Sequence, residues 1–245
     1  MKNLIVANWK LNPTTQKEAK SLFEKIKKGV SRIKNAEVII CPPFVYLPLF
    51  KGLTLGAQNC FFGEKGAFTG EISASILKDL KIEYVIIGHS ERREYFGETD
   101  EVVNKKIKKV LQTGLKVIFC IGETAEERDA GKKTEVLERQ LREGLKGITK
   151  EEIKKIVVAY EPVWAIGTGN NCSVDETMSS VLFIRKVIST IYNRGIADNT
   201  RILYGGSVKS DNSGSYIKNA GANGLLVGGA SLNAEEFNKI VKSAE

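Results

Sequence analysis

Short apolar runs rich in β-branched residues recur along the chain, at positions 4–7, 38–40, 53–57, 84–87, 117–121, 156–160, 201–204 and 224–227. Each run is continuous rather than alternating, which is the pattern of a strand buried on both faces, as in a parallel sheet covered by helices. Between most of them the apolar positions switch to helical spacing. Ala19, Leu22, Phe23 and Ile26 share one face of a helix that Thr14 or Thr15 can cap. Ser173 and Glu176 have capping-box spacing ahead of a stripe of Met178, Val181, Leu182, Val187, Ile188 and Ile191. Thr149 with Glu152, and Asn233 with Glu236, predict two further helix starts. Eight such β/α units in 245 residues predict an α/β protein, a single-domain (β/α)8 barrel over residues 1–245. A doubly wound sheet is the alternative, but no Gly-x-Gly-x-x-Gly follows the first strand. No proline-rich or serine-rich linker divides the chain.

In such a barrel the chemistry collects at the carboxyl ends of the strands. Strand one ends on Asn8-Trp9-Lys10, strand three on Gln58-Asn59-Cys60 and strand four on Gly88-His89. Strand six ends on Glu161, followed by Pro162, by Trp164 and Ile166, and by Gly167 and Gly169. A carboxylate at a strand end, under a stiff apolar tip with glycine roots, is the pattern of a base beneath a movable lid. An ordinary surface loop with a buried Trp is the alternative. His89 is the only histidine of the chain. A lone histidine is often structural, but a core position would not be followed by Ser90-Glu91-Arg92-Arg93. Strands seven and eight end on Gly205-Gly206-Ser207 and Gly228-Gly229. Glycine pairs there let backbone N–H groups approach an anion.

Composition narrows the class. Net charge is +8, from 37 Lys+Arg against 29 Asp+Glu. The lysine clusters lie within amphipathic helical patterns, mixed with glutamate and free of interleaved aromatics. They read as solvated faces, so no nucleic-acid partner is expected, whereas an anionic small substrate suits the charge. No apolar run approaches the ~20 residues of a membrane helix, and 4–7 is too short for the core of a signal peptide, so no membrane partner is expected. Cys41, Cys60, Cys120 and Cys172 are widely spaced, with no Cys-x-x-Cys pair. Neither a metal site nor a disulfide framework is expected, and a cytoplasmic location is.

Asn8-Trp9-Lys10, Gly88-His89-Ser90-Glu91-Arg92-Arg93, the 161–169 segment, Tyr204-Gly205-Gly206-Ser207-Val208 and Gly228-Gly229 together resemble the triosephosphate isomerases. The order and spacing match from the first strand to the last helix, and Ala57-Gln58-Asn59 with Gly66-Ala67-Phe68-Thr69-Gly70-Glu71 resemble the family's third loop. Asn170-Asn171-Cys172 departs from the basic or small residues frequent there. The resemblance implies a TIM barrel that interconverts dihydroxyacetone phosphate and glyceraldehyde 3-phosphate through an enediolate, without a metal or organic cofactor. By position, Glu161 would be the base, His89 a neutral hydrogen-bond donor to the oxyanion, and Lys10 a positive charge near oxyanion and phosphate. Asn8 would orient Lys10, and the backbone of Gly167, Ser207, Gly228 and Gly229 would hold the phosphate. Cys120 resembles a position near the base, with a small apolar filler as its simpler reading. Glu91 either bonds near Lys10 or caps the following turn. A homodimer is implied too, with the 61–71 loop (Phe61, Phe62, Phe68, Thr69, Glu71) of one chain entering a pocket of the other, and Arg92 and Glu71 near that contact. Backbone N–H groups of a helix starting at Ser90 predict a His89 pKa below ~6.5. A Schiff-base aldolase using Lys10, a nucleic-acid binder and an inactive scaffold are the competing readings.

Overall fold

The computed structural model describes residues 1–167 and 170–245. Its strands are β1 (Asn3–Asn8), β2 (Ala36–Cys41), β3 (Thr54–Ala57), β4 (Tyr84–Ile87), β5 (Lys116–Ile121), β6 (Ile156–Tyr160), β7 (Ile202–Tyr204) and β8 (Gly224–Val227). They form one closed parallel barrel in chain order. Around it run α1 (Gln16–Val30), α2 (Ala74–Asp79), α3 (Ser90–Phe96), α4 (Asp100–Gln112), α5 (Ala125–Asp129), α6 (Lys133–Gly144), α7 (Val174–Ile191), α8 (Arg194–Asn199), α9 (Ser213–Lys218) and α10 (Ala234–Ser243).

Two buried layers explain why the strand sequences do not alternate. Leu4, Val6, Ile39, Ile86, Ile118 and Leu203 point inward and pack with their neighbours inside the barrel. Ile5, Ala7, Ile40, Val85, Val117 and Val158 point outward into a second layer beneath the helices. Successive side chains of a strand face opposite ways, so both sets must be apolar. Closure between β1 and β8 pairs Leu4 with Gly224. Gly224 has φ +144, and a Cβ there would lie 1.9 Å from the Leu4 carbonyl oxygen, so only glycine closes the ring at this point.

The helices follow the expected caps and buried faces with three differences. Thr15 caps α1 by accepting from the Glu18 N–H, and Ala19, Leu22, Phe23 and Ile26 are all buried. Asn233 caps α10, accepting from the N–H groups of Glu235 and Glu236. At 149 the expected helix is a short 3₁₀ turn, Glu152–Lys155: Thr149 and Glu152 bond reciprocally, but β6 begins at once and the turn cannot extend. Ser173 caps α7, yet Glu176 does not complete the box, because its carboxylate faces Arg128 and Lys133 instead. On α7 the buried face is Thr177, Ser180, Val181, Ile184, Val187 and Ile188, while Met178 and Leu182 are exposed. Thr177 and Ser180 join the buried face in place of Met178 and Leu182, and the Ser180 hydroxyl satisfies itself on the Glu176 carbonyl.

Candidate active site

β1 delivers Asn8 and, two residues on, Lys10 in the left-handed region at φ +53. A lysine in that conformation costs about 1–3 kcal/mol and needs a surrounding that holds it. Two side-chain amides do so: Asn8 Oδ1 accepts the Lys10 backbone N–H at 3.1 Å, and the Gln58 amide donates to the Lys10 carbonyl at 2.8 Å. The same Gln58 nitrogen donates to the Cys41 carbonyl at 2.9 Å, tying the ends of β1, β2 and β3 together. The Lys10 ammonium pairs with Glu91 at 2.5 Å, which settles the two readings of Glu91 in favour of the contact with Lys10.

β4 ends on Gly88, and His89 is the N-cap residue of α3. Its Nδ1 accepts the Glu91 backbone N–H at 3.3 Å, so in the neutral ring the proton is on Nε2. Nε2 faces Glu161 at 3.0 Å. The other Glu161 oxygen accepts the Ser90 N–H at 3.0 Å. Glu161 reaches this place because β5 yields to it. A Cβ on Gly122 would stand 1.7 Å from the Glu161 carbonyl oxygen, and the Gln140 amide brackets Gly122 on both its N–H and carbonyl.

Burial works against both charges of this pair. It is the largest influence on Glu161 and raises its pKa, but the adjoining imidazole and the Ser90 N–H outweigh it and hold the carboxyl below its ordinary 4.5. Burial likewise lowers the His89 pKa, and the Glu161 carboxylate outweighs it, holding the ring above 6.5. This corrects the expectation of a depressed value. The helix-start N–H is present as expected, but the sequence could not show a carboxylate 72 residues away at contact distance.

Glu161, His89, Lys10 and Asn8 line a cavity of about 510 Å³ at the carboxyl end of the barrel. Gly167, Ser207, Gly228 and Gly229 line it too, so all eight residues singled out in the sequence meet in one space. Gly205, Gly206 and Ile166 also face it, as do Lys209 and Glu236, neither of which had a recognisable motif. Cys120 is fully buried beside Glu161, and burial pushes its thiol well above the ordinary range, in keeping with an apolar filler.

The segment after Glu161 is braced at its first root. Val163–Ala165 make one 3₁₀ turn. The Trp164 indole donates to the Glu123 carboxylate at 2.9 Å, and the Tyr160 hydroxyl donates to the same oxygen at 3.0 Å. The Arg128 guanidinium lies 3.9 Å over the Trp164 ring. Glu123 went unnoticed in the sequence because its role depends on β5 and β6 being neighbours. Gly167 has φ +71, in the left-handed region that favours glycine, whereas Gly169, the second expected hinge, lies outside the described residues. At the other root the Tyr216 hydroxyl donates to the Cys172 carbonyl at 2.8 Å.

Comparison with known proteins agrees with this geometry. The family model described as triosephosphate isomerase matches residues 3–244. A triosephosphate isomerase of Citrifermentans bemidjiense is 48% identical over 250 aligned residues, covering 100% of this chain and 99% of the relative. One from Dictyoglomus thermophilum is 47% identical, with 99% of each covered. One from Caldanaerobacter subterraneus subsp. tengcongensis is 49% identical, covering 97% of this chain and 98% of the relative. With the carboxylate, imidazole, ammonium and glycine turns gathered in one cavity, and with matches of this extent, the chain belongs to the triosephosphate isomerase family.

Proposed function

We propose that this chain interconverts dihydroxyacetone phosphate and glyceraldehyde 3-phosphate, with Glu161 as the base and His89 and Lys10 as the groups that stabilise the oxyanion. The observation that supports it most is the buried Glu161–His89 contact at 3.0 Å, in the same cavity as the Ser207 and Gly228-Gly229 turns. The reaction removes a proton from carbon beside a carbonyl. A positioned base contributes about 10²–10⁴-fold, and the rest has to come from donors fixed on the oxygen where charge develops.

At rest both Glu161 oxygens are occupied, one by His89 and one by the Ser90 N–H. Substrate entering the cavity has to take the place of at least one of them. Once the carboxylate turns to the substrate carbon, His89 Nε2–H is released to donate to the carbonyl oxygen. The largest influence that raised the His89 pKa leaves with it; burial and the Lys10 charge, which favour the neutral ring, then stand against the Glu91 carboxylate alone. The imidazole then has an N–H acidity closer to that of the enediol, and it can share a proton with the intermediate without trapping it. Lys10 supplies positive charge between oxyanion and phosphate, and its pairing with Glu91 keeps the ammonium in place. The glycine turns offer backbone N–H groups to the phosphate, and the 163–167 segment would cover it and exclude water. The substrate carbonyl is itself the electron sink, so the scheme calls on no cofactor.

The same reading includes a homodimer. Leu11 (88% exposed), Val45, Phe62, Phe68, Tyr95 and Phe96 are large apolar groups in the segments after β1, β2, β3 and β4, on one side of the rim. Phe61 packs on Phe62 and Phe68 at 4.3 and 4.6 Å, an aromatic cluster within the 61–71 loop. A patch of this extent supports a partner surface. Beneath it Glu98, bonded by Arg92 and Lys106, keeps one buried oxygen without a hydrogen bond. A cytoplasmic location is supported by four buried free cysteines. A coupled assay of both triose phosphates tests the activity: turnover in each direction is expected, and its absence in the folded dimer would overturn the assignment.

A further inference from the structure

We propose that Glu236 is a positioning residue that braces the two phosphate-holding turns against each other, an inference that rests on the isomerase reading of this cavity. A carboxylate on the wall of an anion site is out of place electrostatically, and Glu236 lines the same cavity as Ser207, Gly228, Gly229 and Lys10. Its contacts explain why it is tolerated. One oxygen accepts the Ser210 backbone N–H at 2.7 Å and the other accepts the Ser210 hydroxyl at 3.1 Å. Glu236 is also the third residue of α10, whose cap Asn233 receives its N–H, and a helix start favours a negative charge. Both oxygens are thus occupied by donors from Ser210.

The brace reaches the donor itself. Asn212 accepts the Lys209 N–H at 2.8 Å and donates to the Ser207 carbonyl at 3.3 Å. Residues 207–212 form one hydrogen-bonded turn, and Glu236 anchors it to the element that follows β8. No backbone hydrogen bond joins the 205–212 turn to 228–233 among the described residues, so the carboxylate bridges the last two strand ends where the sheet ladder has stopped. Donors at a preorganised spacing bind an anion better than donors that have to be gathered.

The test compares Glu236→Ala and Glu236→Gln with the parent dimer in steady-state kinetics, and in calorimetric titration with inorganic phosphate, which reads binding without turnover. For Glu236→Ala we expect KM and the phosphate Kd to rise about five- to twentyfold, the effect of losing one or two hydrogen bonds to a charged group. We expect kcat to stay within about twofold, since the interaction lost is shared by ground and transition state. Glu236→Gln keeps an oxygen to accept the Ser210 N–H, reverses the second contact so that its amide N–H donates to the Ser210 hydroxyl, and removes the charge, so its phosphate Kd should equal or fall below the parent's. A helix-start role alone would move the melting temperature and leave the phosphate Kd unchanged. That result, or a Glu236→Gln variant as weak as Glu236→Ala, overturns the proposal. Should Glu236→Ala fail to fold, Ser210→Ala removes only the hydroxyl arm, and a Kd raised about two- to fivefold is expected; an unchanged Kd overturns the brace. A parent that binds phosphate but turns over neither triose phosphate fails the isomerase reading, and the calorimetric comparison still decides the role of Glu236.

Discussion

At the scale of residues, the site turns on two groups whose charges depend on each other. Replacing Glu161 by Gln keeps its shape and its place against Ser90 but removes its proton affinity. Turnover is expected to fall at least about 10²-fold while phosphate binding survives; near-normal kcat in the purified variant would remove Glu161 as the base. His89, the only histidine, gives a ring ¹⁵N spectrum free of overlap. In the unliganded protein its titration midpoint is expected above 6.5, and saturation with an anionic substrate analogue should move it down, because the analogue displaces the Glu161 carboxylate. A midpoint that ignores the analogue would show that Glu161 and His89 do not separate. The pair has a pH window for stability as well. Glu161, with its pKa depressed, stabilises the fold above 4.5 and loses this as pH falls through its folded value. His89, with its pKa raised, stabilises fully below 6.5 and loses this as pH rises through its folded value. Both contributions are therefore complete only between about 4.5 and 6.5. Denaturant melts of the parent and of His89→Gln should diverge most in that window and converge at alkaline pH.

At the scale of elements, the strand ends place the chemistry and small residues decide how closely they approach. Gly122 lets the end of β5 lie against the Glu161 carbonyl, with no room for a Cβ. Gly122→Ala should cost about 1–3 kcal/mol of stability by overpacking. Because a shift of ~1 Å in the base can cost about 10²-fold, it should lower kcat as well. A variant with the parent's melting temperature and turnover would refute the close approach. The chain at Cys172 is held by α9. Tyr216 stacks on Tyr204 with ring centroids 3.9 Å apart, and its hydroxyl holds the Cys172 carbonyl. Tyr216→Phe keeps the stack and leaves that buried carbonyl without a partner, at a cost of about 1–3 kcal/mol. Hydrogen exchange at residues 170–172 should accelerate, and unchanged exchange there would mean the hydroxyl does not hold the root.

At the scale of the whole molecule, the exposed side chains of Leu11, Val45, Phe62, Phe68, Tyr95 and Phe96 follow the consecutive strands β1 to β4, on the side of the rim that carries Lys10 and His89. An interface there would bury Leu11, the residue next to Lys10, and hold the left-handed turn that aims the ammonium. Phe68→Glu should shift the protein toward monomer in light scattering and lower its turnover together with it. A monomer with full activity at assay concentration would contradict that coupling.

Local patterning was enough to reveal the rhythm of the barrel and the residues at its strand ends. Strand runs and helix stripes are periodic signals that survive in one dimension, and Glu161, His89 and the glycine pairs are marked by what precedes them. It misjudged the face of α7 and the helix start at Thr149, where a neighbouring element overrides the local preference. Tertiary structure alone decided the rest. Gln58 on the Lys10 carbonyl, the Ser90 N–H on Glu161, Glu123 under Trp164 and Glu236 on Ser210 join segments far apart in sequence. The charge state of His89 belongs with them. Its own neighbours in the chain favour the neutral ring, and only closure of the barrel brings a buried carboxylate within 3.0 Å to reverse that preference. Coulomb energy depends on distance and burial, and neither exists until the strands have closed into a ring.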